Sequence, residues 1–418
     1  MFLKNIYTLV NACKIHFCLP VLLVFSSSVF GQKYDLLIKG GHVIDPANGI
    51  DKVMDVAVSK GIIAKVAVKI DEAAEKIIQA KGLYVTPGFI DMHTHVFVGP
   101  NAGTFANGVN SVSPDDFTFR SGVTTVVDAG TSGWRSFPLF KKQVIDQSKT
   151  RILAFINIAG DGMTGDEHEQ NIEDMAPDSA LRIINQYSET IVGVKIGHYN
   201  GTDWTPFDNA IKLARQVEKP LFVECHLPQY SFQDQLEKLS PGDMITHTFE
   251  NIKERIPIIG DDGKVRPFVL EAKKRGVLFD LGHGGAGFWF DQAAPAVKQG
   301  FAPNSFGTDL HRFSMNSAMK DMTNVMSKFM ALGLSLHDVV QIATWNAAKA
   351  INHESLGNIK AGNVADLAIF KIRDGTFGFT DSGGKTISGS GKLEVEMTVR
   401  DGKIVWDLNG LGAKKTDF

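Results

Sequence analysis

Residues 89–95 read FIDMHTH, and runs of the same kind return along the chain. They are TTVVDAGT (124–131), RILAFINIA (151–159), IVGVKIG (191–197), PLFVECH (220–226), DMITHT (243–248), VLFDLGHG (277–284) and NSFGTDLH (304–311). Each is a near-continuous apolar run, the pattern of a strand buried on both faces. Stretches between them, such as DNAIKLARQVE and RPFVLEAKKRG, place apolar residues at helical spacing with charges opposite. Strands alternating with helices predict a parallel sheet under a helical layer. Eight strands in about 220 residues fit a closed (β/α)8 barrel, an α/β TIM barrel. The competing arrangement is a doubly wound open sheet, but no Gly-rich phosphate turn follows any of the runs.

Outside this middle the chain reads as short strands with turn punctuation. YDLLIKGGHVIDPANG, DVAVSKGIIAKVA and EKIIQAKGLYVTPG precede it, and ADLAIFKIRDG and LEVEMTVRDGKIVW follow it. Two β-rich flanks of about 50 residues are each marginal alone. They are expected to pair into one small β-sandwich or barrel, over 32–86 and 352–418, around a barrel domain at 87–351. Residues 1–31 carry Lys4 and Lys14, then the apolar FCLPVLLVF, then small residues ending at Gly31. That order is expected to be a secretory signal peptide, its apolar core shorter than the roughly 20 residues of a membrane span. The mature protein would then be periplasmic or secreted, without a stable membrane anchor. Its formal charge would move from -3 to -5, and Cys225 would be its one thiol.

The whole chain of 418 residues is 44% hydrophobic and 21% charged, too apolar for a disordered chain. A formal charge of -3 provides no basic surface for nucleic acid. Three cysteines make no disulfide framework.

Seven of the 12 histidines lie at or just past the end of a predicted strand: His93, His95, His198, His226, His247, His283 and His311. That rim is where barrel enzymes place their chemistry, and imidazole is the commonest protein ligand for zinc-like metals. His93 and His95, two apart on a strand, leave the same face and can share one ion. His226 and His247 can complete the shell of a second. Asp309, ending the eighth strand, supplies a carboxylate opposite them. Lys195 ends the fourth strand in apolar surroundings, where an ammonium is costly to bury. It is either paired with Asp309 or Glu224, or converted by carbon dioxide to a carbamate whose oxygens bridge two cations. His283, in the GHGGAG turn with Gly284, is a candidate substrate contact; the alternative is a tight turn feeding the next helix. His311 either orients Asp309 or is a surface histidine. Tyr199, Trp204 and Asn157 are lining candidates, and Cys225 reads as a packed thiol.

PGFIDMHTH, Lys195 in GVKIG, His226 in ECH, His247 in THTF and Asp309 in GTDLH together resemble the amidohydrolase superfamily. Through DLGHGGAGF, GTDLH and MKDMTNVMSKFMALG the chain is most similar to its deacetylase, dihydroorotase-like metallohydrolases. The resemblance implies two divalent metals, usually zinc, held by His93 and His95 on one side and His226 and His247 on the other. Carboxylated Lys195 would bridge them, and Asp309 would bind the first metal while handling protons. Many relatives place an arginine shortly after the lysine, where this chain reads Lys195-Ile196-Gly197-His198. His198 then stands in for that substrate contact, or approaches the metals.

The implied reaction is hydrolysis by a metal-bridging hydroxide, with Asp309 as general base and then acid. The expected substrate is a small acylated, above all acetylated, amino acid or hydroxy acid. A cyclic amide or imide is the alternative, ahead of a mononuclear deaminase or a non-catalytic binding barrel. The resemblance also suggests a homo-oligomer.

Overall fold

The computed structural model describes residues 33–164, 167–224, 229–253 and 255–413, which make one compact unit. The leader expected at 1–31 lies outside the described residues.

The chain opens with β1 (Tyr34–Asp45), β2 (Ile50–Ser59), β3 (Ile62–Ala67), β4 (Ala74–Gln79) and β5 (Tyr84–Pro87). Next come β6 (Phe89–Thr94), β7 (Val98–Asn101), β8 (Val123–Gly133), β9 (Arg151–Asn157) and β10 (Ile191–Gly197). The strands β11 (Leu221–Glu224), β12 (Met244–Ile245) and β13 (Leu278–Phe279) follow. The last are β14 (Leu367–Thr380), β15 (Thr386–Arg400) and β16 (Lys403–Asp407).

A seven-stranded parallel sheet runs in the order β13-β12-β11-β10-β9-β8-β6. It curls until its two edges meet the segment 304–311. Asp280 bridges in parallel to Ser305, and Thr94 bridges in parallel to Leu310. Leu281 N donates to Ser305 O at 3.1 Å, and His95 N to Leu310 O at 2.8 Å. The eighth predicted strand therefore closes the curl through these bridges rather than as a regular strand. Gly307 permits it: a Cβ there would lie 2.5 Å from the Cβ of His93 and from Asp280 Oδ2.

Helices cover the sheet where their signals stand in the sequence. Thr205–Gln216 starts beside Pro206, with Asp208 in its first turn and Arg215 in its last. Pro267–Arg275 ends at Gly276, whose φ of 98° provides the left-handed cap. The buried sides of these helices, among them Phe207, Leu213 and Val269, join the main core with strand residues such as Val194 and Val223.

The two chain ends do pair, in the order β16-β15-β14-β5-β1-β2-β3 with β4 beside β1. Hydrogen bonding records one continuous sheet here, where a small sandwich or barrel was expected. The reason is that β5 joins β14 antiparallel and β1 parallel, so both flanks extend the same ladder. Leu36, Ile38, Val56, Val85, Ile369 and Met397 form its own core.

Asp366 ties this sheet to the barrel. Its side chain is 1% exposed, pairs with Arg151 of β9, and accepts from Asp401 N at 2.7 Å. At the other end, the β14–β15 hairpin reaches the barrel loops, where Asp381 accepts from Phe290 N at 2.9 Å. Removing one partner of a buried ion pair strands the other charge. Asp366→Ala should therefore lower unfolding stability by about 3–5 kcal/mol in urea; an unchanged midpoint would show that the pair is not a structural tie.

Candidate metal centre at the barrel mouth

The C-terminal ends of the parallel strands bring His93, His95, Lys195, Glu224, His247 and Asp309 together, all of them buried. Two groups could each hold a cation: His93, His95 and Asp309, and His93, Glu224 and His247. Within each group one ligand atom per residue lies within 4.8 Å of the others. His226, predicted to join His247, and its neighbour Cys225 lie outside the described residues.

Hydrogen bonds behind the rings decide which nitrogen faces the centre. Thr246 Oγ1 donates to Asp280 Oδ2 at 2.7 Å, so its oxygen accepts from His93 Nδ1 at 3.0 Å. His93 then carries its proton on Nδ1 and aims the Nε2 lone pair inward. His247 Nδ1 donates to Gly282 O at 2.7 Å, which turns its Nε2 to Glu224 Oε1 at 2.9 Å. His95 Nδ1 meets Thr131 Oγ1 at 2.9 Å, and its Nε2 stands 3.2 Å from Asp309 Oδ1.

Nε2 of His93 is buried and has no hydrogen-bond partner among the described residues. It faces Asp309 Oδ1 at 3.5 Å and Glu224 Oε2 at 3.7 Å. An orphaned lone pair between two carboxylates fits a divalent cation, whose charge would satisfy all three.

The backbone is strained where these groups are aimed. His198, His247 and Asp309 have φ of 56°, 55° and 51°, in the left-handed region that non-glycine residues avoid. Gly284 makes room for Asp309, since a Cβ at 284 would lie 2.0 Å from Oδ2. Gly130 does the same for Lys195, with a would-be Cβ 2.4 Å from the lysine Cγ.

Lys195 is fully buried; its Nζ pairs with Glu224 and donates to Ala129 O at 2.9 Å. Burial alone would raise the carboxyls. The lysine and histidine charges outweigh burial at Glu224 and hold it well below its ordinary range. Asp309 is lowered in the same way, against burial, by His93, His311 and His95. Burial opposes a charge on His247, but the Glu224 carboxylate overcomes it and pushes the imidazole up to about 9.

Around this centre the other predicted residues divide. His198 contacts Glu169 Oε2 at 3.0 Å and Glu224 Oε1 at 3.3 Å, so it borders the ligand group directly. His311 faces Asp309 Oδ2 at 3.8 Å, while its Nδ1 accepts from Phe313 N at 3.2 Å. Tyr199 packs by Tyr230, which stacks on Trp204 at 4.1 Å, forming an aromatic wall. Asn157 donates to Gly130 O and Glu169 Oε1, and so braces that side.

His283 does not present a free ring to the mouth. Its Nδ1 donates to Gly284 O at 3.0 Å, its Nε2 meets Lys328 Nζ at 2.7 Å, and the ring stacks on Phe288. The alternative reading of this segment, a tight turn, describes what the ring does: it holds the glycine turn in place.

Sequence reasoning missed Glu169, the Thr246–Asp280 pair and Lys328. For Lys328 a signal was present. The helix Met322–Ala331 is buried all round its first two turns, so a lysine within TNVMSKFMA has no solvent face to occupy. Glu224 was visible only as a partner for Lys195.

A model of the amidohydrolase family matches residues 290–405. A deacetylase of Brucella anthropi is 32% identical over 343 residues, covering 80% of this chain and 83% of that protein. The chain belongs to the amidohydrolase family. Among solved structures, an adenine deaminase superposes with a TM-score of 0.82 at 27% identity, covering 90% of this chain and 100% of that one. A dihydroorotase does so with a TM-score of 0.80 at 28% identity, covering 89% and 97%. As an amidohydrolase the protein is a metal-dependent hydrolase of carbon–nitrogen bonds in small molecules. No helix among the described residues is long and apolar enough to cross a membrane.

Burial pushes the Lys328 ammonium down from 10.5 to about 7. Above pH 7 the folded chain holds this amine neutral while the unfolded chain keeps it protonated up to 10.5. Unfolding then takes up a proton, so the lysine's contribution to stability grows with pH and is lost as pH falls towards 7. The stability of wild type minus Lys328→Met should rise by roughly 1–3 kcal/mol from pH 7 to pH 9 in denaturant titrations. A difference that stays flat with pH would remove the assignment.

Proposed function

We propose that this amidohydrolase removes an acyl group, above all acetyl, from the amide or ester of a small amino acid or hydroxy acid. The observation that carries the reading is the pair of three-residue ligand groups sharing His93, set in one buried mouth. The deacetylase relative supports the substrate class. Two divalent ions are proposed, zinc first among them. His93, His95 and Asp309 would hold one, and His247 with His226 the other. Lys195 would bridge them after its Nζ bonds to the carbon of carbon dioxide and the ammonium releases two protons.

Such ions supply Lewis-acid polarisation of the scissile carbonyl and make water acidic enough to attack near neutral pH. The chain's own residues do the rest. Asp309, its carboxyl held ionised by the neighbouring imidazoles, receives the proton of the attacking water. The new carbon–oxygen bond forms, the carbon–nitrogen or carbon–oxygen bond to the leaving group breaks, and Asp309 returns the proton to the departing atom. His311 lies on the Oδ2 side of this carboxylate and keeps it turned to the mouth. His198 and the Tyr199–Trp204 wall border the side from which the acid portion of a substrate would enter. The dihydroorotase superposition favours a second reading, opening of a cyclic amide, by the same proton route. Export with loss of residues 1–31 is part of the proposal.

Purified protein should hydrolyse at least one member of a panel of N-acetyl amino acids, O-acetyl hydroxy acids and cyclic amides. Chelation should abolish that activity, and added zinc or manganese should restore it. Asp309→Asn should keep the folded circular-dichroism spectrum but lower kcat on the order of 10²–10⁴-fold; turnover near wild type would overturn the proton role. Preference for the cyclic members would select the second reading.

A further inference from the structure

The GHGGAG turn (282–287) touches the centre twice. Gly282 O accepts from His247 Nδ1 at 2.7 Å. Two residues on, Gly284 packs against Asp309, whose Oδ2 would lie 2.0 Å from a Cβ there. Backbone bonds join the turn to the closing segment, His283 N to Gly307 O and Gly284 N to Thr308 O, both at 3.0 Å. Glycines at 282, 284, 285 and 287 leave it little stiffness of its own. Its height at the mouth therefore depends on what holds it from behind.

That hold is the ring of His283. Burial, and then the Lys328 charge, keep this imidazole well below its ordinary range, so it is neutral. Its Nδ1 proton goes to Gly284 O at 3.0 Å, which leaves Nε2 as an acceptor. Lys328 Nζ donates to Nε2 at 2.7 Å and to Ala318 O at 2.7 Å. A neutral amine has two hydrogens, and here each finds one acceptor. Both side chains are fully buried, and the Phe288 ring lies 4.9 Å from the imidazole and 5.2 Å from the amine. The helix that presents Lys328 is itself fastened, since Ser327 Oγ accepts from Leu393 N of β15 at 3.0 Å. An apolar side chain would fill this volume without the penalty of burying an amine.

We propose that Lys328 is a positioning residue for the centre: through His283 it sets the 282–287 turn, and through the turn the Asp309 carboxylate and the His247 ring. The inference rests on the hydrolytic reading above and adds to it a residue that acts from behind the ligands. Without the amine, Nε2 of His283 would be a buried acceptor with no donor. The ring regains a partner only by turning or by moving its proton to Nε2, and either change breaks the bond to Gly284 O. The turn is then free to shift, and Asp309 with it. Because Asp309 acts on a proton in the transition state, its displacement lowers kcat rather than substrate affinity.

The experiment compares Lys328→Met, Lys328→Gln, His283→Phe and the double variant Lys328→Met/His283→Phe with wild type, as full chains in excess zinc. Lys328→Met should keep the wild-type circular-dichroism spectrum, lower kcat roughly 10–100-fold and leave KM within about twofold. Lys328→Gln, whose amide has two N–H donors, should recover most of that loss. His283→Phe should match Lys328→Met, and the double variant should be no slower than either, because one path carries both effects. Wild-type kcat in Lys328→Met, a KM rise as large as the kcat loss, or losses that multiply in the double variant would overturn the inference. Ring-nitrogen NMR of histidine-labelled, metal-free protein tests it without turnover, the His283 signals being those absent from His283→Phe. They should show a fixed Nδ1–H tautomer in wild type and lose that signature in Lys328→Met. An unchanged signature in the variant, or an Nε2–H tautomer in wild type, would refute the inference. Should the variants not fold, the wild-type spectrum decides by itself. Wild-type inactivity across the substrate panel would count against the hydrolytic reading, and the spectra would still judge the anchor.

Discussion

Lys195, Glu224, Asp309 and the imidazoles of His93, His95 and His247 share a volume with almost no exposure to water, and the need to keep each charge paired there governs the structure around it. Unpaired, any of these ions would cost several kcal/mol of desolvation. The chain meets that cost by mutual pairing at the centre and by hydrogen-bond partners behind it. Thr246 and Asp280 hold His93, Thr131 holds His95, and Gly282 O holds His247. The contacts at His93 and His247 fix where the Nδ1 proton lies as well as where each ring sits.

A closed parallel sheet is what allows such a concentration. Each strand end delivers one or two side chains to the same mouth, and the helical shell seals the sides. Regular strand geometry cannot aim every group, and the left-handed backbone at His247 and Asp309 supplies the last rotation. Glycines admit the close approaches: 130 under Lys195, 284 beside Asp309, and 307 between His93 and Asp280. The outer sheet adds rigidity through Asp366 below and the β14–β15 hairpin above, where Asp381 fastens the loop that also contains Phe288.

The chain is similar to a deacetylase, a dihydroorotase and an adenine deaminase, and under the proposed reading water attacks a polarised carbon while one carboxylate moves the proton. A wall of side chains borders that mouth. Here that wall is His198 tied to Glu169, with Tyr199, Tyr230 and Trp204 beyond it. No arginine follows the fourth strand, so an acid group on the substrate would meet an imidazole held positive, against burial, by Glu169 and Glu224.

Much of this was legible in the residues. Apolar runs ending in histidine placed the strands, because burial on both faces leaves few polar positions except at the mouth. The pairing His93-x-His95 and the lone lysine in IVGVKIG marked the centre, since period-two alternation assigns their faces without further information. Spacing could not separate a single sheet from a sandwich in the flanks, because that depends on which strand β5 chooses as neighbours. It could not show that His283 turns to Lys328, a residue 45 positions away. Sequence alone, then, determined which residue types reach the barrel mouth, because alternation and burial are local rules. Tertiary structure decided which atoms meet there, because a ring's partner and a carboxylate's angle are fixed by strands far apart in the chain.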